Sequence, residues 1–166
     1  MAFWVVSVAY VGVLVAKGVA MLWAAGQLPE RPATHFGASG RPDGWMRRRS
    51  FLLLDGALAA VVLVGIPAMV SGLARAGDGG LNIPNKDYWV APAHHDALVS
   101  MLDLDGLGMA AITGLLLIWM DVALVRANRQ PEPRLPRTLW VVVGLYVAAI
   151  GLGVWWISVW QFRIPG

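Results

Sequence analysis

The chain lacks cysteine altogether and has few charged residues. Without a thiol it can form neither disulfides nor thiolate metal sites, and it has no cysteine nucleophile. Only 14% of its 166 residues are charged, whereas a soluble domain usually has about 25%. Because 58% of the residues are hydrophobic and the mean hydropathy is +0.63, the composition indicates a protein whose solvent is largely lipid.

Four long apolar segments account for this composition. A helix needs about 20 mostly apolar residues to cross the hydrocarbon core, and long runs without alternation do not fit a barrel of strands. The sequence therefore predicts an all-α fold, an integral-membrane four-helix bundle with structured Pro/Gly-rich loops, as a single membrane domain over residues 1–166. The predicted helices cover residues 3–25, 51–73, 97–125 and 138–162, and the two motif-bearing loops cover residues 26–50 and 74–96.

The first apolar segment is predicted to be a retained helix. It lacks the basic stretch that opens a signal peptide, and it is longer than the usual apolar core of about 7–15 residues. In the second segment, Pro67 is expected to kink the helix, because proline removes one backbone hydrogen bond.

Basic residues at the helix ends predict the orientation. Nine arginines lie in loops one and three, against three basic residues on the other face. The nine are Arg31, Arg41, Arg47, Arg48, Arg49, Arg126, Arg129, Arg134 and Arg137, and the three are Arg75, Lys86 and Arg163. This predicts a multi-pass protein of the bacterial cytoplasmic membrane with both termini on the non-cytoplasmic side. The net charge of +3 is then explained by orientation and anionic lipid rather than by nucleic acid.

Ionisable residues inside the apolar segments are functional candidates by default. Lys17, Asp55 and Asp121 are all placed toward the end that carries loop one, so a buried Lys17–Asp55 pair is expected. Such a cluster can serve a proton or ion function, or it can be a structural salt bridge that fixes helix packing. Asp103 and Asp105 lie near the start of the third helix and complete the predicted set of intramembrane charges.

Loop one resembles a bacterial membrane domain of unknown function found near the N-terminus of SdpI-type toxin-immunity and signalling proteins. The matching residues are Leu28-Pro29, Pro32, His35-Phe36, Gly40, Pro42-Asp43-Gly44-Trp45 and Arg48, with a second motif over residues 83–89 continuing to Ala91-Pro92. The SdpI-type proteins have additional helices after this domain. The resemblance implies a family and no general biochemical activity.

His35 and Asp43 are the polar candidates of loop one. They can form a metal-ligand or proton-transfer pair at the mouth of the bundle, although zinc sites normally need three or four ligands. The alternative is that both side chains hydrogen-bond the loop backbone. Phe36 and Trp45 complete the candidate partner-binding set of this loop, with Trp45 also expected as an interface anchor.

Loop two offers a second candidate binding segment, suited to a peptide, a lipid headgroup or a quinone-like ring. Its residues are Asn85, Lys86, Asp87, Tyr88 and Trp89. The alternative is an Asx-type turn at Asn85, an Asp–Lys pair and two rings at headgroup depth.

The two histidines that follow loop two, His94 and His95, are weak metal candidates, as is His35. The eight-residue separation of His95 from Asp103 is too long for one site on a helix. His95 and Asp96 are instead predicted to cap the third helix.

The sequence contains no nucleophile elbow, phosphate loop, dinucleotide fingerprint or zincin motif, so enzymatic activity and a cofactor are not indicated. We expect a small membrane interaction protein, SdpI-like, whose loops recognise a peptide, toxin, lipid or partner. The alternatives are an accessory subunit of a larger respiratory, photosynthetic or transport complex, or a small transporter or metal-dependent membrane enzyme. The expected partners are the lipid bilayer and a protein or peptide, not nucleic acid.

Overall fold

The computed structural model describes residues 2–77 and 80–164. Four of its helices are long and apolar enough to cross a membrane, and the predicted all-α membrane bundle is confirmed. The first span is α1 (Ala2–Gln27). The second consists of α2 (Arg48–Ala60), a π-helical turn (Val61–Gly65) and α3 (Ile66–Ala76). The short helix α4 (Lys86–Trp89) precedes the third span, α5 (His95–Asn128), and the fourth span is α6 (Thr138–Trp156), continued by a second π-helical turn (Ile157–Gln161).

Helix α5 is the centre of the bundle and packs against α1, α3 and α6. A Cβ atom at its buried Gly114 would overlap the side chain of Val13 and touch that of Leu63. The glycine therefore lets the first and second spans approach α5 closely, which is how small residues bring helices together in lipid. Helix α6 is the outermost element, and no residue of its most apolar stretch is buried.

The second span contains a π-helical turn that ends two residues before Pro67, where the sequence predicted a kink. Proline has no N–H, so it cannot donate to the carbonyl of Leu63 four residues earlier. The hydroxyl of Tyr10 in α1 donates to that carbonyl instead, at 2.8 Å. A neighbouring helix thus satisfies the backbone group that the proline leaves without its donor, as lipid requires.

Loop one contains a β-hairpin that the sequence did not predict. Strands β1 (Ala33–Phe36) and β2 (Pro42–Trp45) pair antiparallel with an irregular register. Both strands have only four residues, and β2 contains proline and glycine, which have little strand preference. The hairpin therefore depends on contacts elsewhere in the chain. We call the end of the bundle that carries this hairpin and loop three (Arg126–Arg137) the hairpin face.

The opposite end of the bundle is closed by loop two. Trp89 is buried, with its indole edge-on to the ring of Phe162 and 5.9 Å from it between centroids. The two rings join Ala74, Leu98 and Leu102 in an apolar cluster. This cluster connects the ends of the second and fourth spans to the start of the third.

Candidate functional site

The hairpin is attached at its base to the end of α5. The Ala33 N–H donates to Asn128 Oδ1 at 2.7 Å, and Asn128 Nδ2 donates to the carbonyl of Ala33 at 2.9 Å. The same Nδ2 atom also donates to the carbonyl of Leu124 at 3.0 Å. This hydrogen bond fixes the orientation of the Asn128 side chain. A single side chain therefore satisfies both backbone groups of Ala33 and fixes the start of β1.

The tip of the hairpin is attached to loop three. The Leu135 N–H donates to the carbonyl of Gly40 at 3.0 Å. Gly40 has φ = +75°, and a Cβ atom there would lie 2.8 Å from the Leu135 carbonyl oxygen. Glycine is required both for this left-handed conformation and for the close backbone contact.

The structure brings the predicted pair of loop one together on the exposed side of the hairpin. His35 Nδ1 and Asp43 Oδ1 are 2.5 Å apart, and the two side chains are 78% and 53% exposed. Gly44 lies opposite His35 in the register, where a Cβ would come within 2.9 Å of the His35 Cβ. The geometry thus presents an imidazole–carboxylate pair to the surroundings on a backbone that is held at both ends.

The two aromatic candidates of loop one have different environments. Phe36 is half-buried and packs against the apolar cluster that contains Leu28 and Val125. Trp45 is 54% exposed. Phe36 therefore anchors the hairpin to the bundle, whereas the Trp45 ring is available for contact with lipid or a partner.

Arginine side chains surround the hairpin. A cleft of about 840 Å³ lies at the base of loop one, and it is lined by Glu30, Arg31, Arg47, Arg48 and Arg49. A second cleft beside the hairpin brings Arg41 near Arg134 of loop three. Loops one and three together contain nine arginines against the carboxylates of Glu30, Asp43 and Glu132, so the hairpin face is strongly basic.

The intramembrane charges form three separate sites rather than one network. Lys17 Nζ lies 2.6 Å from Asp55 Oδ2 and 2.7 Å from Asp121 Oδ2. The Lys17 side chain is 3% exposed, and this triad joins α1, α2 and α5. Asp103 instead pairs with Arg75 at 2.7 Å, and Asp105 accepts from the amide of Gln161 at 2.7 Å.

Several of the candidate residues of loop two have structural roles. Asn85 Nδ2 and Trp89 Nε1 donate to the carbonyl of Phe162, at 2.8 and 3.1 Å. Trp89 is thus buried inside the protein, and its ring is not available to a ligand. Asn85 adopts the left-handed conformation expected of a turn, and Tyr88 stacks on His94 with centroids 4.0 Å apart.

Lys86 and Asp87 are the remaining polar candidates of loop two. Asp87 is exposed and Lys86 is partly exposed. The predicted Asp–Lys pair is absent from the ion pairs of residues 2–77 and 80–164.

The start of α5 also differs from the expectation. The residue at the N-cap is His94, and its side chain makes no capping hydrogen bond, so the predicted cap by His95 and Asp96 is wrong. Asp96 lies in the first turn, where its charge stabilises the helix dipole. Within the part of the chain that the structure describes, no three His, Asp or Glu side chains are grouped closely enough to hold a metal ion, whether around His35 or around His94 and His95.

Sequence reasoning missed Tyr10, Gln161 and Asn128. Tyr10 and Gln161 each bond a group in another span, and nothing local in the sequence marks them. Asn128 had a usable signal, because an amide in the last turn of a membrane helix is a natural partner for a backbone that folds back against it.

Part of the chain matches a known protein family. Residues 12–70 match the family described as a domain of unknown function (DUF1648). The matched range covers most of α1, the hairpin and the second span to Val70, and is consistent with the membrane domain that loop one resembles. No curated protein and no solved structure matches the chain.

Proposed function

We propose that this chain is a small SdpI-like interaction protein of the bacterial cytoplasmic membrane, which presents its hairpin to a protein or peptide partner. The observation that carries the proposal is the exposed His35–Asp43 pair on a hairpin fixed at its base and tip. The match of residues 12–70 to a domain of unknown function supports the family assignment and leaves the partner open.

The fixed hairpin favours recognition for an energetic reason. Binding costs the freedom of every group that becomes ordered in the complex, and a loop already held in its bound shape reduces that cost. Asn128 and the Gly40–Leu135 contact hold the hairpin backbone in the free protein. The His35 and Asp43 side chains are largely exposed, so a partner can reach the pair.

The charge of the hairpin face indicates the kind of partner. Nine arginines against three carboxylates favour an acidic segment, because complementary charge raises association rates and excludes basic competitors. The same excess of arginine supports an orientation with loops one and three in the cytoplasm and both chain ends outside. The proposed partner is therefore an acidic cytoplasmic protein segment.

Co-purification from the native membrane tests this proposal. We expect the tagged chain to retain a defined acidic partner in mild detergent, and His35→Ala/Asp43→Ala to weaken rebinding of that purified partner at least tenfold. Lys86→Ala/Asp87→Ala is the matched control in loop two and should leave affinity within twofold. Equal affinity of both double variants, or binding only to anionic lipid vesicles, would refute the hairpin proposal.

A second candidate function is an accessory subunit of a larger membrane complex. It is favoured by α6, which exposes Trp140, Leu145, Leu152 and Trp155 along its length and has no buried residue in its most apolar stretch. The same purification separates the two functions. A stoichiometric complex that survives the hairpin double variant would support the subunit function.

A further inference from the structure

We infer that a cleft between the second, third and fourth spans binds a lipophilic ammonium compound, with the Asp105 carboxylate as its counter-ion. The inference concerns a site inside the bundle and goes beyond the partner surface proposed for the hairpin. It is carried by the shape of the cleft and by the hydrogen-bonding state of the three polar side chains that line it.

The cleft has a volume of about 370 Å³, which is within the range of sites for drug-sized ligands. Most of its wall is apolar, with Ile66 from α3, Met109 from α5 and Ile150 from α6 among the lining residues. The π-helical turn and Pro67 lie beside it in the second span. Such a volume suits a small amphiphile and is too small for a phospholipid with two acyl chains.

The polar groups of the cleft accept hydrogen bonds and have no proton to donate. Thr113 Oγ1 donates its single proton to the carbonyl of Met109 at 2.8 Å. Tyr146 must then be the donor in its 3.1 Å contact with Thr113 Oγ1, which leaves the Tyr146 oxygen as an acceptor. In its ionised form the Asp105 carboxylate can only accept, and Gln161 occupies just one of its oxygens.

Asp105 also differs from its neighbour in charge pairing. Asp103, two residues earlier, is neutralised by Arg75. Among the residues that the structure describes, the ion pairs include no cation beside Asp105, whose hydrogen-bond partner Gln161 is a neutral amide. A carboxylate in a membrane span is costly without a counter-charge, and a ligand with an ammonium group would supply one.

The position of Asp105 fixes the direction of the ligand. Asp103 lines a neighbouring cleft together with Phe3 near the start of α1, so this level is close to the end of the bundle closed by loop two. Thr113 lies eight residues after Asp105 in α5, which is about 12 Å along the helix at 1.5 Å per residue. The ammonium group therefore lies near the membrane surface, and the apolar body extends toward the Tyr146 level.

Matched probes test the assignment on the unmodified protein in phosphatidylcholine nanodiscs. The three probes are phenylbutylammonium, phenylbutanol and phenylpentanoate, which share a phenyl ring on four methylene groups and differ in the head group. We expect the ammonium to bind at least tenfold more tightly than the carboxylate, after subtraction of binding to empty nanodiscs. Equal affinity of all three probes would overturn the inference and leave only an apolar crevice.

Two variants complete the test. Asp105→Asn should weaken phenylbutylammonium binding at least tenfold, whereas Asp103→Asn should leave it within twofold, and elution as a monodisperse species checks folding of both. Undiminished binding by folded Asp105→Asn would overturn the inference. If that variant fails to fold, the comparison of the three head groups on the unmodified protein still tests the inference. Competition by lysophosphatidylethanolamine, which has a single acyl chain, would support the assignment with a lipid as the source, and its absence would support a free amine.

Discussion

At the scale of single residues, Lys17 has the largest structural consequence in the bundle. Its ammonium group contacts Asp55 of α2 and Asp121 of α5, and so one side chain from α1 connects three spans. Buried charges are expensive unless they are paired, and two carboxylates this close repel each other without the ammonium between them. The two carboxylates are therefore stable side by side only with the Lys17 ammonium between them.

Replacement of this lysine by an apolar residue of similar length should destabilise the protein strongly. We expect Lys17→Met to lower the free energy of unfolding by about 3–5 kcal/mol, since it leaves the buried Asp121 and the partly buried Asp55 without their cation. Denaturant unfolding in detergent, followed by tryptophan fluorescence, measures the change. Lys86→Met, at a partly exposed lysine, is the matched control, and equal loss in both variants would contradict the account.

Asp55→Asn separates the two interpretations of the triad. This variant keeps the Lys17–Asp121 contact and should leave the protein folded. A proton or ion function would then be impaired in a folded protein, whereas loss of folding would favour a purely structural salt bridge.

At the scale of elements, the hairpin is stable because α5 holds it. A single hairpin of two short strands is marginal in water, and this one also contains proline and glycine at strand positions. Asn128 supplies hydrogen bonds to both backbone groups of Ala33. The binding surface proposed for loop one thus depends on a residue 95 positions away in the chain.

Removal of that amide should release the hairpin without unfolding the spans. We expect Asn128→Ala to cost about 1–3 kcal/mol locally, as two backbone groups lose their partner. Hydrogen exchange of the hairpin amides should accelerate roughly tenfold or more, while exchange in α1 and α5 stays unchanged. Asn82→Ala in loop two is the control, and unaltered hairpin exchange in Asn128→Ala would show that something else holds β1.

The elements that were predictable from the sequence are those that depend on local composition. The spans follow from the length and hydropathy of continuous segments, and the Lys17–Asp55 pair follows from two charges at similar depth. The hairpin, the burial of Trp89 and the acceptor for the Tyr10 hydroxyl depend on partners far away in the chain. Such contacts have no local signature, which is why a polar loop and an interfacial tryptophan were the natural expectations.

At the scale of the whole molecule, the two ends of the bundle differ in character. The hairpin face is basic and presents exposed polar side chains. The other end is closed by the cluster of Trp89 and Phe162. Between them, helix α5 is the best-buried span and α6 the least, so lipid or another helix must cover much of the outer surface.

We propose that the four crossings place the hairpin and loop three together in the cytoplasm, opposite loop two. Because the chain has no cysteine, single cysteines at Ser39, Asn82 and Glu132 can be labelled in intact cells with a thiol reagent that does not cross membranes. We predict labelling of Asn82→Cys before lysis and of Ser39→Cys and Glu132→Cys only after lysis. Labelling of all three from the same side would contradict the four-span arrangement, and the reverse pattern would contradict the proposed orientation.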